Sequence, residues 1–155
     1  MAQNGAQELI EQFPRPQKFY ECLVAEIIDF NPPAVGFVDT LDASRQKLAA
    51  MHYDLEQGRR FMMATGIVTI SLVHAETNTL FHARNPFAAG GVYEDPATGA
   101  AAAALAGYLR DLGWPHGGMI EILQGEDMGV PSRLRAEITS EPGASIRVSG
   151  AARQM

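Results

Sequence analysis

The sequence predicts an α+β fold in which strands wrap one central apolar helix. Three observations support this. One alanine-dominated segment, residues 97–112, reads as a helix with almost no polar face. Residues 67–84 hold two β-forming runs about a Thr77-Asn78 turn, which reads as a hairpin. From Met119 onward, three further runs are separated by turn residues. Strands grouped in runs, not alternating singly with helices, separate α+β from a parallel α/β sheet.

The elements follow in order. Residues 1–18 are polar, carry Pro14 and Pro16, and read as a weakly ordered lead-in with a short helix near Gln7–Gln12. Tyr20 to Asp29 is rich in β-formers and reads as a strand, which Asn31-Pro32-Pro33 breaks before a short strand at Ala34–Val38. Asp42 to Gln57 reads as a helix with Leu48, Met51 and Leu55 on one face and Gly58 as its stop. Ile67 to Val73 alternates, which predicts a strand buried on one face, and Leu80 to Arg84 returns antiparallel to it. After the helix at 97–112, Gly113 is a natural C′ residue and Pro115 lies beyond it. Met119 to Leu123, Arg133 to Thr139 and Ser145 to Ser149 read as strands joined by tight turns, one of them at Glu141-Pro142-Gly143.

Composition narrows the function. The 155 residues suit one domain, and 46% hydrophobic with 19% charged residues is a globular balance. A net charge of −6, with Arg59-Arg60 the longest basic cluster, argues against a nucleic-acid partner. No run of about 18 apolar residues exists, so no membrane span is expected. The first ten residues lack a basic and an apolar region, so no secretory signal and a cytoplasmic location are expected. One cysteine, Cys22, leaves no internal disulfide and no cysteine-based metal cluster in this sequence.

The stretch EDPATGAAAAALAGYL, Glu94 to Leu109, carries the chemistry. A helix start leaves N–H groups unpaired and carries partial positive charge. One reading is local: Asp95 is the N-cap and Pro96 the first helical residue. The other is an anion site. Thr98, Gly99 and Ala100 point backbone N–H groups at a substrate carboxylate, Gly99 allows close approach, and Asp95 moves a proton at the edge. Gly90-Gly91 gives a flexible approach.

The remaining residues have plainer readings. His52, His74, His82 and His116 read as structural. Phe81 and Phe87 read as core, Trp114 as a cap on the core edge, and Met51, Met62 and Met63 as packing. Glu126-Asp127 reads as a solvated loop rather than a metal site. Arg84 is open between a structural role and an anion-holding one.

The same stretch resembles the Glu-Asp-Pro-Ala-Thr-Gly-Ser-Ala segment of the PhzF-like family, the phenazine-biosynthesis isomerases and their relatives. HARNPFAAGGVYEDPATG resembles its Arg-containing strand and Gly-rich lead-in, LQGEDMGVPSRLRAEI its Gln-Gly-x-x-Met-Gly-Arg-Pro-Ser segment, and IRVSGAA its closing strand. Weaker similarity runs back through YDLEQGRRFMMATGIVTISLV to about Val35, so residues 1–34 stand as lead-in and 35–155 as the family-like domain.

The resemblance implies a diaminopimelate-epimerase-like half, a strongly curved, mostly antiparallel sheet around a central helix. Such proteins pair two halves, with the site between the two helix starts. The motifs matched here belong to the C-terminal half; the family's catalytic Glu and Gly-His pair lie in the other. By that likeness Asp95 is an acidic site residue and Gly99 a substrate-binding N–H. Ala100 stands where the family has a serine, and Val130 where it has an arginine. The implied activity is a cofactor-free proton shift, with no metal, within a small carboxylate-bearing metabolite. Completion by a separate N-terminal half or by a homodimer is expected. In the homodimer, two Asp95 carboxylates would be neighbours and titrate in separate steps. The alternative is a non-catalytic module that binds a small carboxylate or a protein.

Overall fold

The computed structural model describes residues 22–26 and 45–151. The short helix near Gln7–Gln12, the Asn31-Pro32-Pro33 break, the strand at Ala34–Val38 and the boundary at residue 34 lie outside the described residues. Of the expected Tyr20–Asp29 strand, Cys22–Glu26 is described, as strand β1. Then follow α1 (Arg45–Ala49), α2 (Leu55–Thr65), β2 (Thr69–Ala75), β3 (Leu80–Pro86), β4 (Glu94–Asp95), α3 (Gly99–Asp111), β5 (Met119–Gln124), β6 (Ser132–Glu137) and β7 (Arg147–Gly150).

The fold is α+β with a mixed, mostly antiparallel sheet. The strand order is β1-β2-β3-β5-β6-β7, with the two-residue β4 added to β3. Strands β1 and β2, and β3 and β5, are parallel; the other pairs are antiparallel. Helix α3 lies close to β1 and to β6 and β7, so it meets both ends of the strand order. A sheet must curl for its two edges to meet one helix, and this is the expected wrapping.

Two cores form, one on each face of the sheet. Alternate strand residues point to opposite faces. On one face Val73, Phe81, Ala83, Ile120 and Ile122 pack against Ala102, Leu105, Ala106 and Leu109 of α3. On the other, Ile70 and Leu72 pack with Leu48, Met51 and Met62 of the α1–α2 region. Strand β2 is therefore buried on both faces from Thr69 to Val73, not on one as its alternation suggests. Strand β6 alternates: Leu134 and Ala136 are buried, Arg133 and Arg135 exposed.

Helix α3 ends where the sequence places its stop. Gly113 has φ of 70°, its N–H donates to the Arg110 carbonyl, and the Trp114 N–H donates to the Leu109 carbonyl. These are the two bonds of a Schellman motif. A side chain at that φ is strained. Gly113→Ala is expected to lower stability by about 1 kcal/mol in urea denaturation, without altering the unfolding slope.

Other expectations are corrected. The single helix at Asp42–Gln57 is two helices, with a break at residues 50–54. Asp54 starts the second: its carboxylate accepts from the Gln57 N–H at 2.8 Å. Gly58 is no stop. It is buried inside α2, where a Cβ would lie 2.6 Å from the Tyr53 ring. Helix α3 is not buried all round, since Tyr108 is 40% exposed. Met63 is 67% exposed, so it is not core packing. The β5–β6 connection is residues 125–131, with a 3-10 turn at Glu126–Met128, rather than a tight turn.

Candidate functional site

The site begins where β4 pairs with the end of β3, Asn85 opposite Asp95 and Pro86 opposite Glu94. Successive residues of a strand face opposite ways, so the two acids separate at once. Glu94 turns to the α1–α2 side. Its carboxylate accepts from Arg84 Nε at 2.9 Å and Nη2 at 2.7 Å, and the pair is buried. Arg84 Nη1 donates to the carbonyls of Leu48, Ala49 and Met51 at 3.0–3.2 Å. Hydrogen bonding to Glu94 raises the Arg84 pKa above its ordinary value, against the opposing effect of burial. Arg84 is thus structural: it fastens the end of α1 to the sheet.

Asp95 faces the other way. Its Oδ1 accepts from the Ala97 N–H at 3.1 Å and its Oδ2 from the Thr98 hydroxyl at 2.8 Å. It is therefore not the N-cap, and Pro96 is not the first helical residue. Thr98 occupies the cap position, in extended conformation, and Gly99 opens the helix. The physical reason is that β4 pairing holds Asp95 in the sheet, so the chain must turn before it can coil.

Gln124, at the end of β5, completes the turn. Its Oε1 accepts from the Thr98 N–H at 3.1 Å, and its Nε2 donates to the Asp95 carbonyl at 2.6 Å and to the Thr98 hydroxyl at 2.9 Å. The Thr98 hydroxyl thus gives to Asp95 and takes from Gln124. Gly125 follows with φ of 77°, and a Cβ there would lie 2.4 Å from the Val130 carbonyl oxygen and 3.0 Å from that of Pro96. Only glycine lets these three segments meet.

The outcome is an open helix start. The first intrahelical bond runs from Ala102 N–H to Thr98 C=O, so the Gly99 and Ala100 N–H groups precede the ladder. Both residues are exposed, and nothing lies within 4 Å of where a Gly99 Cβ would sit. Thr98, Gly99, Ala100 and Asp95 are brought together. Exposed apolar side chains stand on the neighbouring loops: Val92 and Tyr93 before β4, Met128 and Val130 after β5.

On the opposite face, Glu126-Asp127 lies in an exposed loop, as expected, and both acids have side-chain partners. Arg45 bonds Asp127 at 2.9 Å, and His82 Nδ1 lies 2.7 Å from Glu126. His82 Nε2 lies 2.6 Å from Glu76, so the His82 ring bridges the loops that carry Glu76 and Glu126. Among the described residues, no group of His, Cys, Asp and Glu is arranged to hold a metal ion, and no helix is long and apolar enough to cross a membrane.

The family model for phenazine biosynthesis-like proteins, PhzC-PhzF, matches residues 34–155. An uncharacterized isomerase of Mesorhizobium japonicum is 46% identical over 74 residues, 45% of this chain and 24% of that protein. The trans-2,3-dihydro-3-hydroxyanthranilate isomerase of Pseudomonas aeruginosa is 51% identical over 63 residues, 39% of this chain and 23% of that protein. Each match thus spans about a quarter of the relative's length. With the helix start formed by EDPATG and a family match over most of the sequence, the chain belongs to the PhzC-PhzF, phenazine biosynthesis-like family.

Proposed function

We propose that the chain supplies one half of a cofactor-free isomerase or epimerase site for a small carboxylate-bearing metabolite. The observation that carries this is the Asp95 carboxylate held at the rim of a helix start whose Gly99 and Ala100 backbone is open. Backbone N–H groups and the helix dipole would bind the substrate carboxylate and disperse charge as a neighbouring C–H ionises. Asp95 would accept or return that proton. The second proton-transfer group comes from outside the described residues: an N-terminal half, or Asp95 of a second copy.

The exposed apolar residues Val92, Met128 and Val130 suit a covered rim. We therefore expect association through this face in a cytoplasmic protein with no nucleic-acid or membrane partner. A solution mass of twice the chain, held on dilution, supports a homodimer; a monomer points to a separate half. Ala100 and Val130, in place of the serine and arginine of the family pattern, favour a second reading: a carboxylate-binding or protein-interaction module without turnover.

Gly99→Val tests the pocket. Space around Gly99 is open, so the fold should tolerate the change. The added side chain would cover the N–H groups. Calorimetric affinity for succinate is expected to fall by about tenfold or more, equivalent to about 1.4 kcal/mol. Unchanged affinity would remove the helix start as the carboxylate site.

A further inference from the structure

Asn85 is 0% exposed, and neither its carboxamide oxygen nor its nitrogen has a hydrogen-bonding partner. Leaving such a group unpaired costs about 1–3 kcal/mol, and native proteins hold few of them without a reason.

Its place in the sheet says where it points. Asn85 pairs with Asp95, so their side chains leave the sheet on the same side. Phe81 and Ala83, of the same parity on β3, pack with α3. Ala83 pairs with Gln124, the residue that grips Thr98. Asn85 lies two residues further along β3, on the α3 side, at the end where the helix starts. Its polar neighbours are committed elsewhere: Gln124 to Thr98 and the Asp95 carbonyl, Asp95 to Ala97 and Thr98.

We propose that Asn85 is a specificity-determining residue of the helix-start site. It selects carboxylates that carry, beside the carboxylate, a neutral group able both to donate and to accept a hydrogen bond. This rests on the carboxylate-site reading above. An asparagine amide offers two donors and one acceptor. A second carboxylate would answer only the donors, and an ammonium only the acceptor. A hydroxyl or a primary amide answers both. A buried polar group built to pair a ligand's OH or NH rejects the analogue that lacks it.

The test is an amide NMR titration of the full chain and of Asn85→Leu with succinate, L-malate and succinamate, together with thermal unfolding of both proteins. In the unmodified protein, malate (a hydroxyl) or succinamate (an amide) should bind about tenfold or more tighter than succinate. Which of the two does so identifies the group. Asn85→Leu should raise the unfolding midpoint, because it removes two unpaired polar atoms. It should also erase the preference. Equal binding of all three ligands, a preference retained in Asn85→Leu, or a lowered midpoint would overturn the assignment. Silence of Gly99 and Ala100 with every ligand would overturn the carboxylate site itself. Shifts there without a preference would overturn only the role of Asn85.

Discussion

Asp95→Asn is expected to lower proton transfer by the completed site by about 10²–10⁴-fold while leaving the fold intact. An amide has nearly the shape of the carboxylate but cannot take up a proton at neutral pH. The local structure tolerates the exchange. Asn retains an oxygen for the Ala97 N–H, and its nitrogen can donate to the Thr98 hydroxyl, which has two acceptor lone pairs. The readout is deuterium incorporation from D₂O beside the carboxylate in a panel of small carboxylates, with the thermal midpoint as control. Exchange at the unmodified rate would remove Asp95 from the chemistry.

The second large effect is on stability. Glu94→Gln should cost about 3–5 kcal/mol, because it removes the two-pronged counter-ion of the buried Arg84 and leaves only the longer 3.9 Å pairing with Asp127. The Arg84 and Glu94 side chains are 8% and 1% exposed, so water cannot take over. Removing the carboxylate also loosens the guanidinium that holds three carbonyls at the end of α1. A loss of that size is a large share of a domain's usual 5–15 kcal/mol, and urea denaturation would register it. A loss below about 1 kcal/mol would mean that the pair is solvent-screened.

These two acids are adjacent in sequence and do unrelated work, which shows what the sequence alone could tell. Gly113 marked the end of α3 because that end depends on neighbours within a few residues; EDPATG marked the region of its start but not the capping residue, which is Thr98, because β4 pairing and Gln124 set where coiling begins. The alternation of β6 was legible because one face of that strand meets solvent. Strand β2 misled because helices cover both its faces, and a buried Thr69 or Ser71 looks like an exposed one in sequence.

The roles of Glu94, Gln124 and Asn85 could not be read, because their partners, or the absence of partners, are set by folding. Thr98 and Gln124 are 26 residues apart, and His82 and Glu126 are 44 apart. Gln124 did lie in a matched segment, so a signal existed, but nothing local assigns it to Thr98. The break between α1 and α2 depends partly on Arg84, more than 30 residues away.

The central claim is that the start of α3 receives a carboxylate. Titrating acetate into the ¹⁵N-labelled chain while following the backbone amides tests it most directly. The account predicts saturable shifts at Gly99 and Ala100, with Thr98 following, that disappear in Gly99→Val. Shifts confined to other regions, or no saturable shift at the helix start, would contradict it.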